Sequence, residues 1–118
     1  MNNLDFTICC TVTFFSKKRR TPPNLNNGKY CPHLVIKGSE QQLGVNFIDS
    51  EDVIFDKPTH ANVLPVNEDI DYSALQVGSE FLILEGSTVV GEGLVKEIFQ
   101  HKPQGKNNCR VFYPLEFI

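Results

Sequence analysis

The chain has 118 residues, of which 41% are hydrophobic and 21% charged, and its formal net charge is −3 at pH 7. A chain of this length forms a single domain with a hydrophobic core of its own, and it cannot hold two ordinary domains. The slightly acidic balance argues against a protein whose whole surface is shaped to bind nucleic acid.

Charge is distributed unevenly along the sequence. Residues 1–48 carry six basic and two acidic side chains, whereas residues 49–97 carry eleven acidic and two basic ones. Four of the basic side chains are consecutive, namely Lys17, Lys18, Arg19 and Arg20. Such asymmetry between segments indicates polar binding faces, and ordinary solvated loops are the alternative interpretation.

The sequence also bears on the compartment of the protein. No stretch approaches the ~18 apolar residues of a membrane-spanning helix, and residues 1–5 lack the basic start of a signal peptide. A cytoplasmic protein without a membrane partner is therefore expected. The cysteines have no spacing typical of a disulfide scaffold, and free thiols are expected at Cys9, Cys10, Cys31 and Cys109.

In chain order, the first predicted element is a strand over residues 4–15. Its alternation places five apolar side chains on one face, those of Phe6, Ile8, Cys10, Val12 and Phe14. Residues 16–29 combine four consecutive cations with Pro, Asn and Gly, which predicts an exposed loop. Three more strands are predicted at 30–37, 42–48 and 60–66, and Pro32 lies near the start of the first of them. Between the last two, a short apolar segment is expected at 53–55.

The second half of the chain contains the strongest hairpin signal, in which strands 81–85 and 88–99 flank Gly86-Ser87. Gly91 and Gly93 inside the second strand indicate a bulge or a close approach of two backbones, as at a barrel corner. Weaker signals predict a weak helix at 73–75, a turn at 104–108 and a final strand at 110–117. Six to eight short strands predict an all-β sandwich or barrel.

No group of residues in the sequence completes a catalytic or cofactor site. Cys31 and His33 lie two residues apart, but no second pair completes a tetrahedral zinc site. The carboxylates of residues 49–71 lack the spacing of a calcium loop, and solvated side chains are expected there. The phosphate-binding loop of nucleotide hydrolases is missing as well. Neither enzyme activity nor a metal, nucleotide or other cofactor is therefore expected.

The run of four cations is the feature that most suggests a binding function. Each cation could contact a phosphate, which would give RNA an affinity that falls as salt rises. Phe15 and Tyr30 flank the loop and are candidate platforms for an unpaired base, with packing in the core or the loop as the alternative.

Three segments of the chain resemble one known family. Residues 6–15 are followed by Arg-Arg-Thr-Pro at 19–22, residues 28–34 read Gly-Lys-Tyr-Cys-Pro-His-Leu, and residues 81–95 contain Phe-Leu-Ile-Leu-Glu-Gly and Val-Val-Gly-Glu-Gly-Leu-Val. In order and spacing these segments are similar to the C-terminal β-barrel domain of translation elongation factor Tu. The resemblance covers most of the chain.

The resemblance implies a six-stranded antiparallel Greek-key barrel over residues 4–99, within a single β-barrel domain spanning 1–118 and with 100–118 as a hairpin or C-terminal extension. In the family, this domain contributes to binding the T-stem side of aminoacyl-tRNA and the nucleotide-exchange factor. Cys31 and Leu84 stand where the family has arginines. The matched motifs, together with the basic loop, imply eight candidate binding residues: Lys17, Lys18, Arg19, Arg20, Thr21, Tyr30, His33 and Glu85.

Two functional hypotheses follow from these observations. The first is a non-enzymatic, elongation factor Tu-like binding module that lacks the GTPase and binds a protein or RNA of translation. The second is a mimic of the elongation factor domain that sequesters a toxin or another protein. In that case the acidic segment 49–71 would face a basic partner.

Overall fold

The structure, a computed structural model, describes residues 6–67 and 69–100 of the chain. These residues form six β-strands and no helix: β1 (Phe6–Phe14), β2 (His33–Ile36), β3 (Leu43–Ser50), β4 (Thr59–Pro65), β5 (Glu80–Glu85) and β6 (Thr88–Gln100). The strands close into a barrel in the order β1-β4-β3-β2-β5-β6, and every neighbouring pair is antiparallel. The predicted closed, six-stranded antiparallel β-barrel is confirmed.

The strand directions divide the connections between two ends of the barrel. We call the end that carries the loops 15–32 and 51–58 and the β5–β6 turn the upper end. The turn 37–42 and the segment 66–79 lie at the opposite, lower end. The β1–β2 and β4–β5 connections join strands that are not neighbours, so both must cross an end of the barrel.

Alternation along the strands builds the core. All five β1 residues predicted to share a face are buried, and Phe14, Phe47 and Phe81 are fully enclosed. Burying an aromatic or aliphatic side chain of this size contributes roughly 1.5–3 kcal/mol. Because the sheet is closed, none of these six strands is an edge strand that could pair with a strand of another chain.

The two glycines inside β6 lie where backbones and side chains approach closely, as the sequence predicts. A Cβ on Gly91 would lie 2.5 Å from the carbonyl oxygen of Thr13, and a Cβ on Gly93 would lie 2.5 Å from Cζ of Phe81. The register of β6 also shifts on both sides of these glycines, against β5 and against β1. Gly91 and Gly93 therefore let β6 pass close to the β1 backbone and to Phe81, where a Cβ would not fit.

The observed strands differ from the predicted ones mainly at their ends. β2 begins at His33 rather than at residue 30, because Pro32 has no N–H to donate. The backbone nevertheless follows β3, since the carbonyls of Tyr30 and Pro32 accept hydrogen bonds from β3 at 3.0 and 3.2 Å. Residues 53–55 form no strand, and Ile54 is 56% exposed.

The weak helix predicted at residues 73–75 is wrong. The structure has a single turn there, in which the Leu75 N–H donates to the Tyr72 carbonyl at 2.9 Å. The side chains of Tyr72 and Leu75 are both buried at the lower end of the barrel. Their packing holds a single turn, which is too short to be a helix. The turn predicted at 104–108 and the strand predicted at 110–117 lie outside the described residues.

Candidate functional site

The basic loop lies at the upper end of the barrel and is fastened to it at several points. The Ser16 N–H donates to Oδ1 of Asp56 at 3.1 Å, which ties the start of the loop to the β3–β4 connection. Further along, Oδ1 of Asn26 accepts a hydrogen bond from the Ser50 N–H at 2.8 Å. Between these points Leu25 is buried in the core. The loop is therefore held by other parts of the fold as well as by its own ends.

Arg19 and Glu85 form the centre of a small polar cluster at the barrel mouth. Nε of Arg19 lies 2.8 Å from Oε2 of Glu85, and Nη1 of Arg19 donates to the carbonyl oxygen of Thr21 at 2.6 Å. The Tyr30 hydroxyl donates to the same Oε2 at 2.5 Å, and Cζ of Arg19 lies 5.6 Å from the centroid of the Tyr30 ring. We call these four residues the Arg19 cluster. The Arg19 and Glu85 side chains are only 23% and 32% exposed.

Tyr30 covers the upper end of the hydrophobic core. Its ring centroid lies 6.0 Å from that of Phe14 and 5.6 Å from that of Phe47, and both phenylalanines are fully buried. Burial and the hydrogen bond to Glu85 raise the pKa of the Tyr30 hydroxyl, and Arg19 offsets this only in part. The ring lies between the core and a guanidinium, so a base could stack on it only by displacing Arg19.

The other three cations of the run at residues 17–20 face solvent. Lys17, Lys18 and Arg20 are exposed, and none of them forms an ion pair within residues 6–67 and 69–100. The Lys18 N–H donates to the Phe15 carbonyl at 3.1 Å, which closes a turn just before Arg19. The anchored Arg19 thus lies between the turn that presents Lys17 and Lys18 to solvent and the exposed Arg20.

His33 is the predicted site residue that lies away from this cluster. It begins β2, where it is opposite Gly44 of β3 and Leu84 of β5, and it is exposed on the outer wall of the barrel. Four of the eight predicted residues form the Arg19 cluster, and three more extend from the adjoining turn. His33 does not contribute to this group.

The acidic segment 49–71 does not form one surface. Asp49 and the carboxylates of the β3–β4 connection lie toward the upper end, beside the basic loop. Asp69 and Asp71 follow β4 and lie at the lower end. Hydrogen bonds from the Ser16 side chain and backbone, with a smaller effect of the nearby Lys17 charge, lower the pKa of Asp56, so this carboxylate stays ionised as an anchor. Glu68 lies outside the described residues.

The cysteines in the described part of the chain are free thiols, as predicted: Cys9, Cys10 and Cys31. Burial raises the pKa of Cys10 to about 12, and its thiol donates to the Ala61 carbonyl, so Cys10 behaves as a core residue. Cys109 lies outside the described residues. Among the residues with defined positions, no group of three or more His, Cys, Asp or Glu side chains could hold a metal ion.

Two anchoring residues were missed by the sequence analysis. Asp56 belongs to the carboxylates of residues 49–71 that were expected to be solvated, but it fastens the basic loop and adopts a left-handed backbone conformation, with φ of 66°. Asn26 was read only as a loop residue, but it binds the end of β3. The available signals were an Asp before Lys-Pro and an Asn within a Pro- and Gly-rich loop, both typical of capping and turn residues.

Over the described parts of the chain there is no helix long and apolar enough to cross a membrane. Comparison of the sequence with models of protein families gives no match, and comparison with curated proteins gives no significant match. The assignment of a function therefore depends on the geometry of the barrel mouth.

Proposed function

We propose that the chain is a non-enzymatic, cytoplasmic binding module of the elongation factor Tu C-terminal kind, with Greek-key connectivity, which binds an RNA of the translation apparatus through its basic loop. The observation that carries the proposal is the turn that holds Lys17 and Lys18, with Arg20 two residues after it. These exposed cations are held in place because Arg19 between them is bound to Glu85.

An ordered cationic turn suits phosphate contacts better than a flexible one does. A loop fastened before binding loses less conformational entropy when it binds its partner. Three exposed cations within four consecutive residues match a backbone that carries regularly spaced negative charges. Arg19 contributes through position, because its charge is already used by Glu85. The exposed cations therefore attract the RNA phosphates, and the Arg19 cluster holds the basic loop in one conformation.

The test is the salt dependence of binding to unfractionated tRNA. Fluorescence anisotropy over a series of KCl concentrations should give an apparent affinity that falls steeply with salt. Each of the substitutions Lys17→Ala, Lys18→Ala and Arg20→Ala should lower the slope of log K against log salt by about 0.7–0.9. Lys96→Ala, which removes an exposed cation from β6, is the matched control. Equal effects of Lys96→Ala and Arg20→Ala would overturn the proposal.

A second candidate function rests on the acidic residues beside the loop. Glu51 and Asp52 are exposed at the upper end, and Ile54 next to them is 56% exposed. An apolar side chain rimmed by carboxylates suits a basic protein partner, as a mimic that sequesters a toxin or another protein would need. Salt-sensitive binding of a basic protein that is lost in Glu51→Gln/Asp52→Asn, with no binding of tRNA, would favour this candidate.

A further inference from the structure

The basic loop contains the only Asn-Gly pair of the sequence, at Asn27 and Gly28. Both residues are exposed, and they lie between Asn26, which binds the end of β3, and Tyr30, which packs against the core. Neither residue carries a charge, so phosphate binding by the cations does not account for the pair. Its chemistry is that of a side-chain amide next to a peptide nitrogen that no side chain shields.

The Asn27 side chain is folded back over the peptide bond that follows it. Its Oδ1 accepts a hydrogen bond from the Lys29 N–H at 3.0 Å, as in an Asx turn. This hydrogen bond closes a ring that includes the Gly28 nitrogen, so Cγ of Asn27 and that nitrogen are held close together. The Lys29 N–H also polarises the amide carbonyl, which makes Cγ a better target for a nucleophile.

The Gly28 nitrogen is accessible. Among residues 6–67 and 69–100, no group accepts a hydrogen bond from its N–H. Gly28 has a φ of 71°, and a Cβ placed on it would meet nothing within 4 Å. Because glycine has no side chain, its backbone can also rotate into conformations that other residues avoid. A base can therefore reach the N–H, and the nitrogen can approach Cγ of Asn27.

We infer that Asn27 and Gly28 form a site of intramolecular deamidation, which converts a neutral residue of the basic loop into a carboxylate. Hydroxide removes the proton of the Gly28 nitrogen, and the nitrogen then forms a bond to Cγ of Asn27. Negative charge develops on Oδ1, where the Lys29 N–H stabilises it. The bond between Cγ and Nδ2 breaks, Nδ2 takes a proton from water and leaves as ammonia, and a cyclic imide remains.

Water then opens the imide, and the sequence of steps needs no oxidant or reductant. Cleavage between the Gly28 nitrogen and Cγ gives aspartate at position 27. Cleavage between that nitrogen and the main-chain carbonyl carbon gives isoaspartate, in which the chain runs through the side chain and is longer by a methylene group. Overall, water is consumed and ammonia is released. Either product carries a negative charge at neutral pH.

The surroundings of the pair give the modification a consequence for the basic loop. Oδ1 of Asn26 accepts a hydrogen bond from the Ser50 N–H at 2.8 Å, and the Tyr30 carbonyl accepts one from the Phe47 N–H at 3.0 Å. The segment is thus held on both sides, and a longer chain between these points disturbs them. A carboxylate here also offsets part of the positive potential of the loop. Deamidation should therefore weaken tRNA binding, an effect that rests on the proposed function.

The test is to incubate the full chain at mildly alkaline pH and to follow each asparagine by peptide mass spectrometry. Asn24 is an internal control in the same loop. It is exposed, and its Oδ1 accepts a hydrogen bond from the Asn26 N–H at 2.9 Å, but the buried Leu25 follows it. We expect Asn27 to convert at least about tenfold faster than Asn24, which corresponds to a barrier lower by about 1.4 kcal/mol. Gly28→Ala should remove this difference, because a methyl group hinders the nitrogen.

Several results would overturn the inference. Equal rates at Asn24 and Asn27 would mean that the site has no special reactivity, and this comparison stands even if Gly28→Ala does not fold. Formation of aspartate without isoaspartate would indicate direct hydrolysis of the amide by water, with no attack by the Gly28 nitrogen. An unchanged rate in folded Gly28→Ala would contradict the role of glycine.

The effect on the loop has a measurement of its own. Anion-exchange chromatography separates the deamidated chain from the unmodified one, and fluorescence anisotropy compares their binding to tRNA. We expect the deamidated chain to bind more weakly, and equal binding would refute the effect of the modification on the loop. If the unmodified chain does not bind tRNA, the proposed function fails, whereas the mass measurement still decides whether Asn27 is the modified residue.

Discussion

Replacing Glu85 by Gln tests whether the Arg19 cluster is a structural anchor. The substitution keeps the shape of the side chain and an acceptor for the Tyr30 hydroxyl, but it removes the negative charge. Two short contacts of Glu85 Oε2 depend on that charge: Nε of Arg19 lies 2.8 Å away, and the Tyr30 hydroxyl oxygen lies 2.5 Å away. Hydrogen bonds to a charged group contribute about 1 kcal/mol more than neutral ones.

Exposure of the pair reduces this magnitude. Arg19 and Glu85 are 23% and 32% exposed, so water screens part of their attraction. We therefore expect Glu85→Gln to lower the free energy of unfolding by about 1–2 kcal/mol, from two charge-assisted contacts after discounting. For a domain of this size, that loss lowers the melting temperature by roughly 5–10 °C. Urea denaturation followed by far-ultraviolet circular dichroism measures it.

A double-mutant cycle assigns the effect to the pair itself. Arg19→Met and Glu85→Gln should be coupled by about 0.5–1.5 kcal/mol, because each single change already removes the shared contact. Lys37→Met and Glu80→Gln form the control cycle, since that pair is 46% and 62% exposed, and no measurable coupling is expected. A coupling of Arg19 and Glu85 no larger than that of the control would refute the reasoning.

Glu85→Gln also distinguishes two effects on RNA binding: the conformational order of the basic loop and the net charge of the protein. Glu85→Gln raises the net charge by one, which by itself would strengthen binding of an anion. Loss of the anchor would instead weaken binding, because the turn must then be ordered at the moment of contact. We expect weaker tRNA binding in anisotropy. Stronger binding would mean that the Arg19 cluster stabilises the fold without presenting the loop.

Two further predictions concern packing and alkaline pH. Gly93→Ala should lower the free energy of unfolding by at least about 1–3 kcal/mol, because its Cβ would lie 2.5 Å from Phe81 and 2.7 Å from the Thr11 carbonyl. Gly44→Ala, whose Cβ would meet nothing closer than 3.5 Å, should change stability much less, and equal losses in urea denaturation would contradict this account. Burial raises the folded-state pKa of Tyr30 above its ordinary value near 10. The stabilisation from this group is therefore complete below pH 10 and is lost as pH rises through the folded-state pKa, by up to roughly 1.4 kcal/mol per pH unit. Tyr30→Phe should flatten that alkaline loss in pH-dependent unfolding, and an unchanged profile would argue against a buried, hydrogen-bonded hydroxyl.

The strands were predictable because their signal is local. A side-chain period of two marks a half-buried strand wherever it occurs, so the five inward residues of β1 could be chosen before any partner strand was known. Gly86-Ser87 likewise indicated the β5–β6 hairpin within a few residues. Errors arose where the tertiary structure overrides a local tendency, as at 73–75, where two buried side chains hold a turn instead of a helix.

The candidate site was predictable only as a set of residues. Arg19, Tyr30 and Glu85 were selected from motifs, and nothing in the sequence indicated that one carboxylate oxygen would bind both partners. Asp56 was overlooked because its contact with the basic loop spans 40 residues. The sequence also did not show that the acidic segment 49–71 is divided between the two ends of the barrel. The division arises because β4, which lies within this segment, runs from the upper end to the lower end.

By itself, the sequence determined the β class, the inward faces of the strands and a loop with four consecutive cations. Each of these depends on composition or on spacing over a few residues. Only the tertiary structure decided that Arg19, unlike the exposed Lys17, Lys18 and Arg20, is an anchor bound to Glu85. Closure of the barrel brings distant segments together at one mouth, and the contacts made there depend on register and strand order, which no local pattern encodes.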